Sequence, residues 1–255
     1  MRPLHRQILN FATLVVVLIV NALAGTGILS GESIGVIANR YPSYFLPADY
    51  VFGIWSLIYL GLAAFAVYQF QPAQRENAPI QRIGLSWAVN GLLNVAWIVA
   101  FSFGLFGLAL LLMAALLANL VVIHERIGIG HVHLDWRARA FVALPFSAYF
   151  AWISVAIIAN AFQLATYLGW SGFGLGGVGW STLMLCAGAA LALAMLALRG
   201  NWVFPLVFAW AFFGIADRFS SVASIANTAY ALVAVLLVAS VALLARGRRR
   251  GVVWV

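Results

Sequence analysis

Apolar residues run along this chain in eight stretches, near Gln7–Leu29, Tyr50–Phe70, Ile83–Phe103, Leu105–Ile123, Ala140–Ala161, Trp180–Leu198, Trp202–Phe219 and Val222–Ala245. Each approaches the roughly 20 residues that a helix needs to cross the hydrocarbon core of a bilayer. Inside lipid, backbone polar groups find no water and must be satisfied within the span, so helices are the expected element. The seventh stretch is the shortest and carries Pro205, Asp217 and Arg218. The pattern predicts an all-α integral membrane protein.

Composition agrees: 65% of the residues are hydrophobic and 8% charged, against about a quarter charged in soluble domains. All fourteen basic residues are Arg. Twelve fall at the N-terminus (Arg2, Arg6), after the second stretch (Arg75, Arg82), after the fourth (Arg126, Arg137, Arg139), after the sixth (Arg199) and after the eighth (Arg246, Arg248, Arg249, Arg250). Only Arg40 and Arg218 fall on the other side. This positive-inside bias predicts eight spans with both termini cytoplasmic. The net charge of +8 therefore reads as topology and contact with anionic lipid, not as nucleic-acid binding. Ala22-Leu23-Ala24 before Gly25 resembles a signal-peptidase site, but the apolar run continues to Leu29 and suits a span better.

Absences narrow the chemistry. The chain has no Lys, which excludes Schiff-base chemistry on a lysine. Its one cysteine, Cys186, permits no internal disulfide and reads as a small core residue. The four histidines, His5, His124, His131 and His133, sit at or near span ends, so no axial pair is offered to a haem buried between helices. His131 and His133, near Glu125 and Asp135, have unspecific spacing for a metal and read as a solvated loop. Gly172-Phe-Gly174-Leu-Gly176-Gly177-Val-Gly179 matches G-x-G-x-x-G in letters only. It joins two spans rather than a strand and a helix, and no acidic residue follows until Asp217. It reads as a flexible outer loop, and no cofactor or metal is required.

Asn, Tyr and Trp within the spans are then the carriers of specificity. Asn90, Asn94, Trp97 and Phe101 lie at i, i+4, i+7 and i+11, on one helical face. Tyr149, Trp152, Ala156 and Asn160 lie at i, i+3, i+7 and i+11, again on one face, in the fifth stretch, and Trp55 and Tyr59 are one turn apart in the second. Two readings fit this spacing: amides as interhelical glue, at about 1 kcal/mol each, or an aromatic cavity with amide donors for a planar ligand.

The order of residues adds a resemblance. Pro47-Ala-Asp-Tyr50-Val-Phe52-Gly-Ile-Trp55-Ser-Leu-Ile-Tyr59, then Asn94-Val-Ala-Trp97, then Tyr149-Phe-Ala-Trp152-Ile-Ser-Val-Ala156-Ile-Ile-Ala-Asn160 resembles the TspO/MBR family. These are the tryptophan-rich sensory proteins, bacterial relatives of the mitochondrial translocator protein. The family pattern runs Pro-Pro-x-Trp-Val-Phe…Trp-x-x-Leu-Tyr, Asn-x-x-Trp and Pro-Tyr-x-x-Trp-x-x-x-Ala-x-x-Leu-Asn. Here Ala48 replaces the second Pro, Tyr50 the Trp, and Ala148 the Pro before Tyr149, with Pro145 nearby. No basic residue follows Leu164 and Tyr167 to complete a cholesterol-type motif.

The resemblance implies a five-helix TspO-like bundle over residues 1–161, followed by a three-helix transmembrane extension with a basic cytoplasmic tail over 162–255. It implies a membrane receptor or transporter that binds porphyrin, another tetrapyrrole or a similar apolar ligand. Trp55 and Tyr59 would form one wall, Asn94, Trp97 and Phe101 another, and Tyr149, Trp152 and Ala156 a third. The loop Gly31–Asp49, stiffened by Pro42 and Pro47, would be the lid. Alternatives are a scaffold or regulator whose extra helices bind a partner protein, and an enzyme degrading a tetrapyrrole. The absence of a carboxylate or His securely inside the spans weighs against acid–base catalysis. The partners expected are the lipid bilayer, the apolar ligand and, through Ala- and Gly-rich helix faces, a second copy in a homodimer.

Overall fold

The computed structural model describes residues 3–74 and 77–249, which form helices and connecting turns, with no strand among them. Arg2, Arg75 and Arg250, counted in the charge pattern, lie outside the described residues. The helices are α1 (Pro3–Gly25), α2 (Ile34–Arg40), α3 (Ile54–Tyr68), α4 (Ala78–Ile83), α5 (Ser86–Ser102), α6 (Phe106–Ile127), α7 (Trp136–Ala138), α8 (Leu144–Tyr167), α9 (Gly176–Arg199), α10 (Val203–Arg218) and α11 (Ala223–Arg249).

Every apolar stretch is helical, and six are long and apolar enough to cross a membrane: Leu4–Gly25, Asp49–Tyr68, Phe106–Ile127, Trp136–Tyr167, Gly176–Arg199 and Ala223–Ala245. The third and seventh stretches make shorter helices, α5 of 17 residues and α10 of 16. At 1.5 Å per residue these are about 24–26 Å long, below the ~30 Å of hydrocarbon. Local signals explain the shortening. Gly84 at φ +57 ends α4 before α5 begins, and left-handed Gly200 terminates α9 just ahead of α10. Pro205 costs α10 nothing, because it is the third residue of the helix, where an N–H has no intrahelical partner. Pro145, inside the fifth stretch, follows a π-helical turn, Arg139–Ala143, in which the Leu144 N–H reaches the Arg139 carbonyl. The wider turn accommodates a residue that cannot donate.

The chain packs as two compact units that interleave in sequence. The first comprises Met1–Tyr41, Trp55–Gly128 and Asp135–Phe146; the second comprises Pro42–Ile54, Ile129–Leu134 and Ser147–Val255. In the first unit α5 packs on α1 and α6, and α4 lies on α6. Its core holds Phe65, Trp87 and Phe146 with mutual ring distances of 5.0–5.5 Å. The Trp87 indole N–H donates to the Asn10 carbonyl at 2.9 Å, so this ring is fixed at both its apolar and its polar end. In the second unit α9, α10 and α11 pack on one another, and the 3-10 turn Asp49–Gly53 lies against α10. Phe204, Phe208 and Phe212, four residues apart on α10, are fully buried there.

Candidate functional site

Aromatic side chains of the first unit form a continuous column. Trp55 and Tyr59, one turn apart on α3, stack at 5.3 Å and 23°. Trp55 stacks on Trp97 of α5 at 6.2 Å and 26°. Trp97 meets Phe101 at 5.8 Å, Phe101 meets Phe106 of α6 edge-on at 5.5 Å, and Phe106 meets Tyr41 at 5.5 Å. Such pairs contribute about 0.5–1.5 kcal/mol each beyond their buried area. Trp97 and Phe101 are buried, whereas Trp55 and Tyr59 are half-buried. The column is therefore buried in its middle, on α5 and α6, and more accessible at its ends, Trp55 and Tyr59 on α3 and the half-buried Tyr41. Phe106 and Tyr41 escaped the sequence reading because one follows a turn and the other ends α2; no periodicity links them to α5.

The amides of this unit bond each other across helices. Asn94 is fully buried, and its Oδ1 accepts from Asn21 Nδ2 at 2.8 Å, joining α5 to α1. Asn90 Nδ2 donates to Asn119 Oδ1 at 3.2 Å, joining α5 to α6. Asn21 was absent from the sequence reading, since nothing on α1 marks it apart from its polarity.

The remaining predicted residues belong to the second unit. Tyr149 and Trp152 of α8 are each 2% exposed and Ala156 is half-buried. Trp152 meets Phe52 edge-on at 6.0 Å, and Asn160 Nδ2 donates within its own helix to the Ala156 carbonyl at 3.0 Å. Pro42 is exposed and Pro47 buried. Outside these residues, His131 Nε2 lies against the Arg199 guanidinium.

A family model described as TSPO-like protein matches residues 7–242. The chain belongs to the TSPO-like family. The match runs from α1 into α11, with α10 included. No match was found among curated proteins or among solved structures.

Set beside the TSPO-like pattern, the departures around Pro47 acquire a physical cause in α10. The Ala48 N–H donates to the Gly214 carbonyl at 3.1 Å, a bond that the family's second Pro cannot make. Tyr50, in place of the Trp, packs edge-on against Trp210 at 5.7 Å, whose indole N–H donates to the Val51 carbonyl at 3.0 Å. A Cβ on Gly214 would lie 2.0 Å from Val51 Cγ2, so only glycine allows this approach. Arg218 donates to the Pro47 carbonyl at 3.3 Å and lies 3.6 Å from the Asp49 carboxylate. Trp210, Gly214 and Arg218 are spaced i, i+4 and i+8, one face of α10. That spacing is the signal the sequence carries for this contact. The expected lid is likewise built differently along its length: Gly31–Tyr41 contains α2, capped by Ser33, whereas Pro42–Ile54 of the second unit is fastened to α10.

Proposed function

We propose that this TSPO-like protein is a membrane receptor or carrier for a tetrapyrrole or a similar planar apolar ligand. The observation that supports this most is the column Tyr59–Trp55–Trp97–Phe101, whose accessible end offers two parallel rings on one helix. Aromatic faces stack on a macrocycle without requiring hydrogen bonds or charge, which suits an intramembrane site. Tyr149, Trp152 and Ala156 enter the proposal through the family resemblance. Asn94 is assigned to helix pairing through Asn21 rather than to the ligand.

The test is porphyrin titration of the purified protein with Trp fluorescence as readout. Saturable quenching is expected in the parent. Trp55→Ala should weaken binding about fivefold or more, the equivalent of about 1 kcal/mol, while Trp55→Phe keeps part of the affinity. Trp55 is the better probe than Trp152, because truncating a Trp that is 2% exposed costs about 3–5 kcal/mol of fold stability by itself. Absence of saturable quenching in the folded parent would refute tetrapyrrole binding and favour the scaffold reading.

A further inference from the structure

A cavity of about 150 Å³ lies within the second unit, where α8 ends and α9 begins. Four of its walls are rings: Tyr44, Phe162, Trp170 and Trp180. None of the residues lining it carries a charge; Pro42, Ser43 and Tyr44 come from the expected lid, and none of the residues expected to touch a tetrapyrrole is among them. Its volume is about that of a cavity that holds benzene, well below the roughly 300–1,000 Å³ of sites for drug-sized ligands. A macrocycle does not fit, whereas a compact head group about the size of benzene does.

The rings are held open rather than stacked shut. Trp170 and Trp180 lie 5.4 Å apart at 49°, and the Trp180 indole N–H donates to the Gly172 carbonyl at 2.8 Å. A Cβ at Gly172, whose φ is +75°, would lie 3.1 Å from Trp180 Cδ1, and one at Gly177 would lie 3.1 Å from Tyr44 Cδ2. The glycine-rich segment, read from sequence as a flexible loop, is instead a 3-10 turn at Gly172–Gly174 and the first turn of α9. Its glycines make room for two of the four rings. Flanking Leu168, Phe173 and Leu175 are 68%, 86% and 55% exposed.

We propose that this cavity binds a zwitterionic quaternary-ammonium group: trimethylammonium joined by a short linker to a phosphate or carboxylate. Electron-rich ring faces attract a weakly hydrated cation that has no hydrogen to donate. Gly176 and Gly177, the first residues of α9, border the same cavity. The positive end of that helix disfavours a bare cation and favours the attached anion. The uncharged lining matches a ligand of zero net charge. Such a group occurs on choline lipids and on small free solutes.

The full chain, purified in dodecyl maltoside, is titrated calorimetrically with phosphocholine, with glycine betaine and with 3,3-dimethylbutanol, the uncharged isostere of choline. Saturable binding of the two zwitterions is expected, with the alcohol at least roughly tenfold weaker. Trp170 is 42% exposed, so Trp170→Ala opens no large core hole. It should weaken zwitterion binding roughly three- to thirtyfold, the range of a cation–π contact, with Trp170→Phe intermediate. Porphyrin quenching should stay unchanged in both variants, which separates this site from the one on α3 and α5. A second arm measures, by native mass spectrometry from mixed phosphatidylcholine–phosphatidylglycerol nanodiscs, which lipid the protein retains. Phosphatidylcholine retention lost in Trp170→Ala identifies a lipid source; binding of the free zwitterions alone identifies a solute. Equal affinity for the alcohol, indifference to Trp170→Ala, or no binding in either arm overturns the proposal.

Discussion

Ala48 shows how one position can report on a distant helix. Its φ of −59° suits proline, yet its N–H is committed to Gly214. Ala48→Pro therefore sets the loss of a hydrogen bond, about 0.5–1.5 kcal/mol, against a stiffer unfolded chain, a gain of about 0.4–1 kcal/mol. Global stability should move by less than about 1 kcal/mol, while deuterium uptake in residues 42–54 rises. Unchanged uptake would mean that the bond does not hold the segment. Asn94 is a second case. Asn94→Leu leaves Asn21 Nδ2 without its Asn94 acceptor, and interhelical bonds of this type are worth about 0.6–1.7 kcal/mol in membranes. The expected result is a lower unfolding midpoint in detergent with porphyrin affinity nearly intact. A selective loss of affinity would return Asn94 to the ligand site.

At the scale of elements, α10 is the helix whose role was least legible and whose contacts explain most. The sequence presents it as a short span weakened by Pro205, Asp217 and Arg218. In the structure Pro205 sits in the first turn, Arg218 in the last, and the face Trp210–Gly214–Arg218 receives the segment before α3. The contact of Gly214 with Val51 offers a test by double-mutant cycle. Gly214→Ala should destabilise by about 1–3 kcal/mol through overpacking, because its new Cβ falls 2.0 Å from Val51 Cγ2. Val51→Ala removes that methyl and should rescue much of the loss in the double variant. Strict additivity would show that α10 and the segment do not meet there. The aromatic column is likewise a property of elements. Helical spacing placed Trp97 and Phe101 on one face of α5 and Trp55 and Tyr59 on one face of α3. Which faces meet, and that Phe106 and Tyr41 continue the series, followed only from how α3, α5 and α6 pack.

For the whole molecule, the Arg distribution makes a topological prediction. With Cys186→Ala as background, a cysteine at the exposed Ser171 should react with an impermeant thiol reagent in intact cells, and one at the exposed His133 should react only after lysis. The reverse pattern would invert the orientation. Amino-acid order by itself determined the class of this protein, its eight helical stretches and its family, because hydropathy, span length and motif order are local properties that need no partner. It also placed the chemistry-bearing residues on their helix faces, since 3.6 residues per turn converts spacing into direction. Tertiary structure alone decided that Asn94 is engaged by Asn21 and that α10 grips residues 47–51. It alone decided, too, that the glycine-rich segment frames a small aromatic cavity. Each of these depends on which groups distant in sequence come within a few ångströms, where contact, hydrogen bonding and exclusion act, and sequence spacing carries no measure of that distance.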